Sequence, residues 1–231
     1  MEDIRLFSYK MTHDTGFAPN PFKGFLTLAN CKPKIRKYRQ PKEWVAGFTS
    51  VGLNGDSVGR EKLVYLMEIT NKVDYYEYWT NPNYECKKPK SGYVTIENKA
   101  GDNIYRPNAN APLHFEQIEE TKHHKEESLQ KRDLGGEYIL ISNHFFYFGS
   151  SPIDISKCVQ KPHIPEGICP HGLITDNAQA FISFVEKKAK KKHCIQPGIY
   201  AFPHKWENKV EETISENVDT NKTKKGCSPC G

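Results

Sequence analysis

The apolar residues of this chain fall into short β-forming runs, and turn chemistry separates each run from the next. The runs are Ile4–Met11 (IRLFSYKM), Phe25–Cys31 (FLTLANC), Trp44–Leu53 (WVAGFTSVGL), Lys62–Thr70 (KLVYLMEIT) and Gly136–Ser150 (GEYILISNHFFYFGS). Segments of this kind bury their side chains by pairing into sheet. One stretch carries a clear helical period. In ITDNAQAFISFVEKKAKKKH, residues Ala178, Phe181, Ile182, Val185 and Ala189 share a face, Asp176 stands where a cap would, and lysines crowd the last turns. VDYYEYWTN (Val73–Asn81) predicts a short helix packed on the sheet, and KPKIRKYRQPKE, bracketed by Pro33 and Pro41, holds at most a short helix. The expected class is α+β: a mainly antiparallel, curled or barrel-like sheet with flanking helices and a long polar insert over 84–135. Within that insert, EETKHHKEESLQKRD reads as a solvated helix or loop. A single domain is expected over 1–206, followed by a flexible Lys-rich tail over 207–231.

Hydrophobic residues make up 37% of the chain and aromatics 12%, a balance that fits a β-rich core and excludes a disordered polymer. No apolar run approaches the roughly 18 residues a membrane helix needs. The N-terminal MEDIRLFSYK lacks the basic flank and apolar stretch of a signal peptide, so a cytoplasmic protein is expected. Seven cysteines, an odd number, then read as reduced thiols.

Several constellations could carry chemistry. Cys31 ends a strand beside a cation-rich segment; it reads first as an ordinary half-buried cysteine, with a thiolate nucleophile favoured by the nearby cations as the alternative. CSPCG, with Cys227 and Cys230, has zinc-knuckle spacing but no second regular pair, so no metal site is assigned. GDSVGREK lacks the Gly-Lys-Ser/Thr order of a phosphate loop, no dinucleotide fingerprint is present, and no cofactor is expected. Six cations from Lys32 to Lys42 include Lys32, Lys34, Arg36 and Lys37 as candidate phosphate contacts, or simply form a solvated face. His13, Asp14, Asp102 and His114 are the acid–base candidates. Ser142, Asn143 and His144 offer further polar groups at a strand exit. Tyr9, Phe17, Asn20, Trp44, Asn103, Tyr105 and Tyr147 could build an aromatic, hydrogen-bonding cage for a base. The loop HDTGFAPNPFKG (13–24) would form one preorganised wall, with His13 and Asp14 as its polar lip.

The stretches FSYKMTHDTGFAPNPFKGFLTLANCKPKIRK, WVAGF, EKLVYLMEIT, YYEYW, GDNIY and YILISNHFFYFG together resemble a bacterial and phage group, the nucleotide modification associated domain family. The resemblance covers Arg5 to Ser150 and is carried by Tyr9, Asp14, Gly16, Phe17, Pro19, Asn20, Pro21, Gly24, Cys31, Lys32, Pro33, Arg36 and Gly101 to Tyr105. It implies a role in DNA base hypermodification or phage defence, with DNA or a nucleotide as ligand and protein partners from a modification operon. It transfers no catalytic set. A looser likeness, in KEWVAGF followed by LVYLMEIT, is to PUA-like and EVE barrels, which read nucleic acid. Three functions stand as expectations: binding of a nucleotide or modified base in an aromatic pocket beside a basic segment; a transferase or hydrolase of the same pathway using His/Asp acid–base chemistry; or a structural or protein-interaction component of a modification or defence operon.

Overall fold

The computed structural model describes residues 4–90, 92, 95–111, 113–119 and 123–204. The strands are β1 (Leu6–Lys10), β2 (Leu26–Leu28), β3 (Trp44–Phe48), β4 (Lys62–Glu68), β5 (Asn71–Asp74), β6 (Tyr105–Pro107), β7 (Phe115–Gln117), β8 (Tyr138–Ser142), β9 (His144–Tyr147), β10 (Ile153–Asp154) and β11 (Leu173–Thr175). The helices are α1 (Pro33–Tyr38), α2 (Val51–Asn54), α3 (Tyr75–Thr80), α4 (Ile96–Lys99), α5 (Glu127–Leu134) and α6 (Gln179–Ala189), with a 3₁₀ turn over Pro82–Lys87. The architecture is mixed helix and strand, with several sheets and few helices. No helix of the described residues is long and apolar enough to cross a membrane.

One sheet runs β10-β4-β3-β1-β11, with β9 and β10 sharing the edge of β4 that faces away from β3. A second sheet runs β2-β8-β5, and β6-β7 is a separate ladder. Pairing is antiparallel except between β1 and β3, which run parallel from Leu6–Trp44 to Lys10–Phe48. The two sheets share one ribbon. Tyr65 faces Tyr147, Glu68 faces His144, Asn71 faces Ile141 and Asp74 faces Tyr138, so the register runs unbroken from β4/β9 into β5/β8. At the junction the Thr70 amide reaches Ile141 O (2.9 Å) and the Asn143 amide reaches Thr70 Oγ1 (3.1 Å).

The expected mixture of helix and sheet is present, but the expected barrel is corrected. Closure requires every edge strand to find a partner. Among the described residues β2 and β5 remain edges of one sheet and β11 of the other. The run Gly136–Ser150 is two strands, split at Asn143. The run Trp44–Leu53 leaves the sheet after Phe48 and turns into α2, which Ser50 caps through Leu53 N. The long helix starts at Gln179 with Ala178 at its cap position, so Asp176 does not cap it; its apolar face is as the spacing predicts. That face packs Phe181, Ile182 and Val185 on Phe48, Leu63 and Leu66 of the first sheet. The opposite face buries Tyr9, Tyr65, Met67 and Phe22. A third cluster joins Phe17, Val73, Tyr75, Tyr78 and Tyr105 beneath the second sheet. Segment 84–135 carries α4, β6, β7 and α5, whereas the 207–231 tail with Cys227 and Cys230 lies outside the described residues.

The 13–24 loop is pinned by a cation from that polar segment. Lys87 is 1% exposed, and its Nζ donates to Asn20 Oδ1 (2.8 Å), Asn20 O (3.1 Å), Phe22 O (2.7 Å) and Phe25 O (2.8 Å). Burial pushes the Lys87 ammonium down to about 8, with Asp102 acting the other way, so it stays charged at neutral pH. Lys87→Met would leave Phe22 O and Phe25 O without this donor, Asn20 keeping those from Phe22 N and Thr27 N, and is expected to cost about 3–5 kcal/mol. Urea unfolding of the variant measures this, and a loss below about 1 kcal/mol would show that the loop does not depend on the cation.

Candidate active site

After β2 the chain turns sharply into α1, and two consecutive non-glycine residues take left-handed backbone angles: Cys31 (φ 58°) and Lys32 (φ 39°). Each such residue costs of order 1–3 kcal/mol and persists only where its surroundings enforce it. The enforcing group is Arg36, fully buried one turn into α1. Its Nε donates to Cys31 O (2.7 Å), Nη1 to Tyr138 O (2.7 Å) and Tyr75 Oη (2.9 Å), and Nη2 to Asp133 O (2.5 Å). Gly136 makes room for this guanidinium, since a Cβ there would fall 2.3 Å from Arg36 Cζ.

Asp133, near the end of α5, is fully buried and faces the thiol turn. Its Oδ1 accepts from Cys31 N (2.8 Å); its Oδ2 accepts from Tyr105 Oη (3.0 Å) and meets His124 Nδ1. The other ring nitrogen, His124 Nε2, lies 3.6 Å from Cys31 Sγ. Arg132 Nη2 stands 3.9 Å from the same sulfur. A thiol, an imidazole and a buried carboxylate are thus in series, through opposite nitrogens of one ring. An imidazole and a guanidinium beside one sulfur are the surroundings that favour the reactive thiolate. Phe17 walls the site: its ring stacks on His123 (4.3 Å between centroids) and meets His124 edge-on (5.3 Å).

Burial, then the neighbouring His124, push His123 down to about 4, so it is neutral at pH 7. The folded state then binds fewer protons than the unfolded chain between about 4 and 6.5, and stability falls as pH drops through that window. His123→Phe is expected to remove this part of the acid sensitivity, read as a smaller difference in melting temperature between pH 7 and pH 4.5. An unchanged difference would contradict it.

The residues singled out in the sequence are dispersed. Asp102 is buried, accepts from Thr27 Oγ1 (2.6 Å) and Tyr78 Oη (2.7 Å), and is raised by burial against the pull of Lys87; it anchors the core. Asn103 holds Tyr78 O (2.6 Å), Asn20 holds Ala100 O (2.6 Å), and Tyr105 orients Asp133. His13 and His114 are exposed, His114 in the β6–β7 turn, and neither is bonded to Asp102 among the described residues. Tyr9, Phe17, Trp44 and Tyr147 are 2%, 3%, 5% and 0% exposed, so they line the interior and form no open cage. Of the phosphate candidates, Arg36 is a buried scaffold, Lys37 pairs with Glu137, Lys32 lies over the Tyr9 ring (4.6 Å) and Lys34 is exposed. Asp14 is buried and is met by Tyr147 Oη and by His204 Nδ1 (3.0 Å). His124 and Asp133 were hidden in the charged segment, where the tandem His123–His124 was the only signal.

A family model described as nucleotide modification associated domain 2 matches residues 3–210, a span that holds Cys31, His124, Asp133, Asp14 and His204. The chain belongs to that family. Comparison with the curated proteins and with the solved structures gives no match. Membership of the nucleotide modification associated domain 2 family ties the chain to nucleotide or DNA modification. The cysteine turn lies within the matched stretch, as does the carboxylate that orients its histidine.

Proposed function

We propose that this chain is a thiol enzyme of nucleotide modification, in which Cys31 is the nucleophile, His124 the general base and Asp133 the group that holds the imidazole. The observation that carries the reading is the series Cys31 Sγ, His124 Nε2, His124 Nδ1, Asp133 Oδ2. This is the order that nucleophilic catalysis requires, with a base in reach of the nucleophile and a third group orienting the base. The reaction class is acyl transfer on a nucleotide or modified base that carries an ester or amide carbon. The Cys31 sulfur bonds to the carbonyl carbon, its proton passes through His124 to the leaving oxygen or nitrogen, and the bond to that leaving atom breaks. A second nucleophile then displaces the sulfur and restores the thiol.

The pathway enzyme expected as one alternative is thus retained with different residues: Cys31, His124 and Asp133 replace His13, Asp102 and His114. Base recognition in an aromatic pocket, and the likeness to PUA-like readers, gain no support from the buried rings. A bound cation is the second reading, because one donor atom each from Cys31, His124 and Asp133 lie within 4.8 Å of one another. The relay is favoured because Cys31 Sγ and Asp133 Oδ2 face opposite nitrogens of the ring, so an ion shared by the thiolate and Nε2 would leave Asp133 as the outer partner of Nδ1 and not as its third ligand.

Incubation with p-nitrophenyl acetate, followed by peptide mass analysis, tests the proposal. The acetyl group is expected on Cys31, absent in Cys31→Ser, and formed at the same rate after treatment with a chelator. Acetylation spread over the cysteines, or none at Cys31, would refute the thiol mechanism; a rate that rises on chelation would support the cation.

A further inference from the structure

Asp14 and His204 form a second carboxylate–imidazole pair that the Cys31 relay does not use. Asp14 accepts from Tyr147 Oη, from His204 N (3.3 Å) and from His204 Nδ1 (3.0 Å). An imidazole that donates from Nδ1 to a carboxylate presents a lone pair at Nε2. In His204 that Nε2 is buried and has no hydrogen-bond partner among the described residues, while its side chain is 11% exposed. A buried ring nitrogen of this kind is a base lacking the proton donor it would act on.

Two lines of contacts connect the pair to the thiol site. Asp14 and Phe17 are three residues apart, which limits their Cα separation to about 11 Å. Phe17 packs on His123 and His124, while Gly16 packs on Phe22 and Pro203, next to His204. A line of contacts closes the circuit from the other side. Lys32, adjacent to the nucleophile, covers the Tyr9 ring, and Tyr9 Oη bonds Tyr65 Oη (2.8 Å). Tyr65 is the cross-strand partner of Tyr147, which bonds Asp14. Burial and Tyr65 dominate the upward push on the Tyr9 phenol, but the charges of both Cys31 and Asp14 also reach it.

Building on the thiol reading, we infer that His204, oriented by Asp14, is the base for the second half of the reaction: it takes the proton from the acceptor that displaces the acyl group from Cys31. The acceptor is a nucleophile with an O–H or N–H bond. Its oxygen or nitrogen bonds to the acyl carbon, the carbon–sulfur bond breaks, and its proton goes to His204 Nε2 and from there to solvent; the thiolate takes a proton from solvent through His124, so both histidines return to their starting state. Separate bases for the two halves suit a transferase, in which donor and acceptor enter from different sides of the acyl group.

The test resolves the two half-reactions with p-nitrophenyl acetate as donor and water or hydroxylamine as acceptor. His204→Gln is expected to form acyl-Cys31 within about twofold of the wild-type rate and to release it at least about tenfold more slowly, so that acyl protein accumulates. Asp14→Asn is expected to show the same split in milder form. If His204→Gln releases the acyl group as fast as wild type, or slows both halves equally, the inference fails while the Cys31 relay stands. If the wild-type protein never acylates at Cys31, the thiol reading fails and this inference with it.

Discussion

Exchange of His124 for Ala is expected to lower the rate of acyl transfer to Cys31 by about 10²–10⁴, the usual contribution of a positioned general base. The fold should hardly notice. His124 sits at the rim with its side chain 14% exposed, and without it Asp133 still accepts from Cys31 N and Tyr105. A melting temperature within about 4 °C of wild type is therefore expected alongside the kinetic loss. The measurement is single-turnover acylation with p-nitrophenyl acetate, read by release of the nitrophenolate. Asp133→Asn keeps the shape but loses the charge that holds the imidazole, and should give a loss of the same kind. Unchanged acylation in His124→Ala would remove the base from the mechanism.

The second large effect is on stability. Arg36→Met is expected to cost roughly 3–5 kcal/mol, because it removes a buried cation and takes the guanidinium donor from the carbonyls of Cys31 and Tyr138, and one of three donors from that of Asp133. For a chain of this size that corresponds to a fall of roughly 10–15 °C in melting temperature. The same change frees the left-handed turn at Cys31, so any folded fraction should also lose the heightened reactivity of its thiol. Gly136→Ala reaches the same result by a different route, since its methyl group would occupy the space of the guanidinium. A stable Arg36→Met protein with a fully reactive Cys31 would show that the turn is held by something else.

How much of this could be read in the sequence follows from what each feature depends on. The strands and α6 were legible because burial imposes a local period: Phe181, Ile182, Val185 and Ala189 repeat on one face and are all buried. The barrel was a wrong inference from the order of elements and the likeness to PUA-like domains, because closure depends on which edges meet and no local pattern records that. Cys31 was legible as a thiol beside cations, but the cations that matter were misassigned. Arg36, four residues after Lys32, is a buried scaffold, and the groups at the sulfur, His124 and Arg132, lie 93 and 101 residues along the chain. Their segment mixes Lys, Glu, Arg and Asp, which reads as solvated surface, and the burial of Asp133 within it comes wholly from tertiary packing. Asp102 and Asn103 drew notice as polar residues in a loop, and the same polarity serves as hydrogen-bonding inside the core. The 13–24 loop is held by Lys87 as firmly as its prolines and glycines suggest, and it delivers Asp14 to His204.

The central claim is that Cys31 is a nucleophile activated by His124. It is tested most directly by the rate of iodoacetamide alkylation at each cysteine as a function of pH, in wild type and in His124→Ala. At neutral pH Cys31 is expected to react at least about tenfold faster than Cys86, and His124→Ala to remove this excess. Alkylation of Cys31 no faster than Cys86, or an excess that survives the loss of His124, would contradict it.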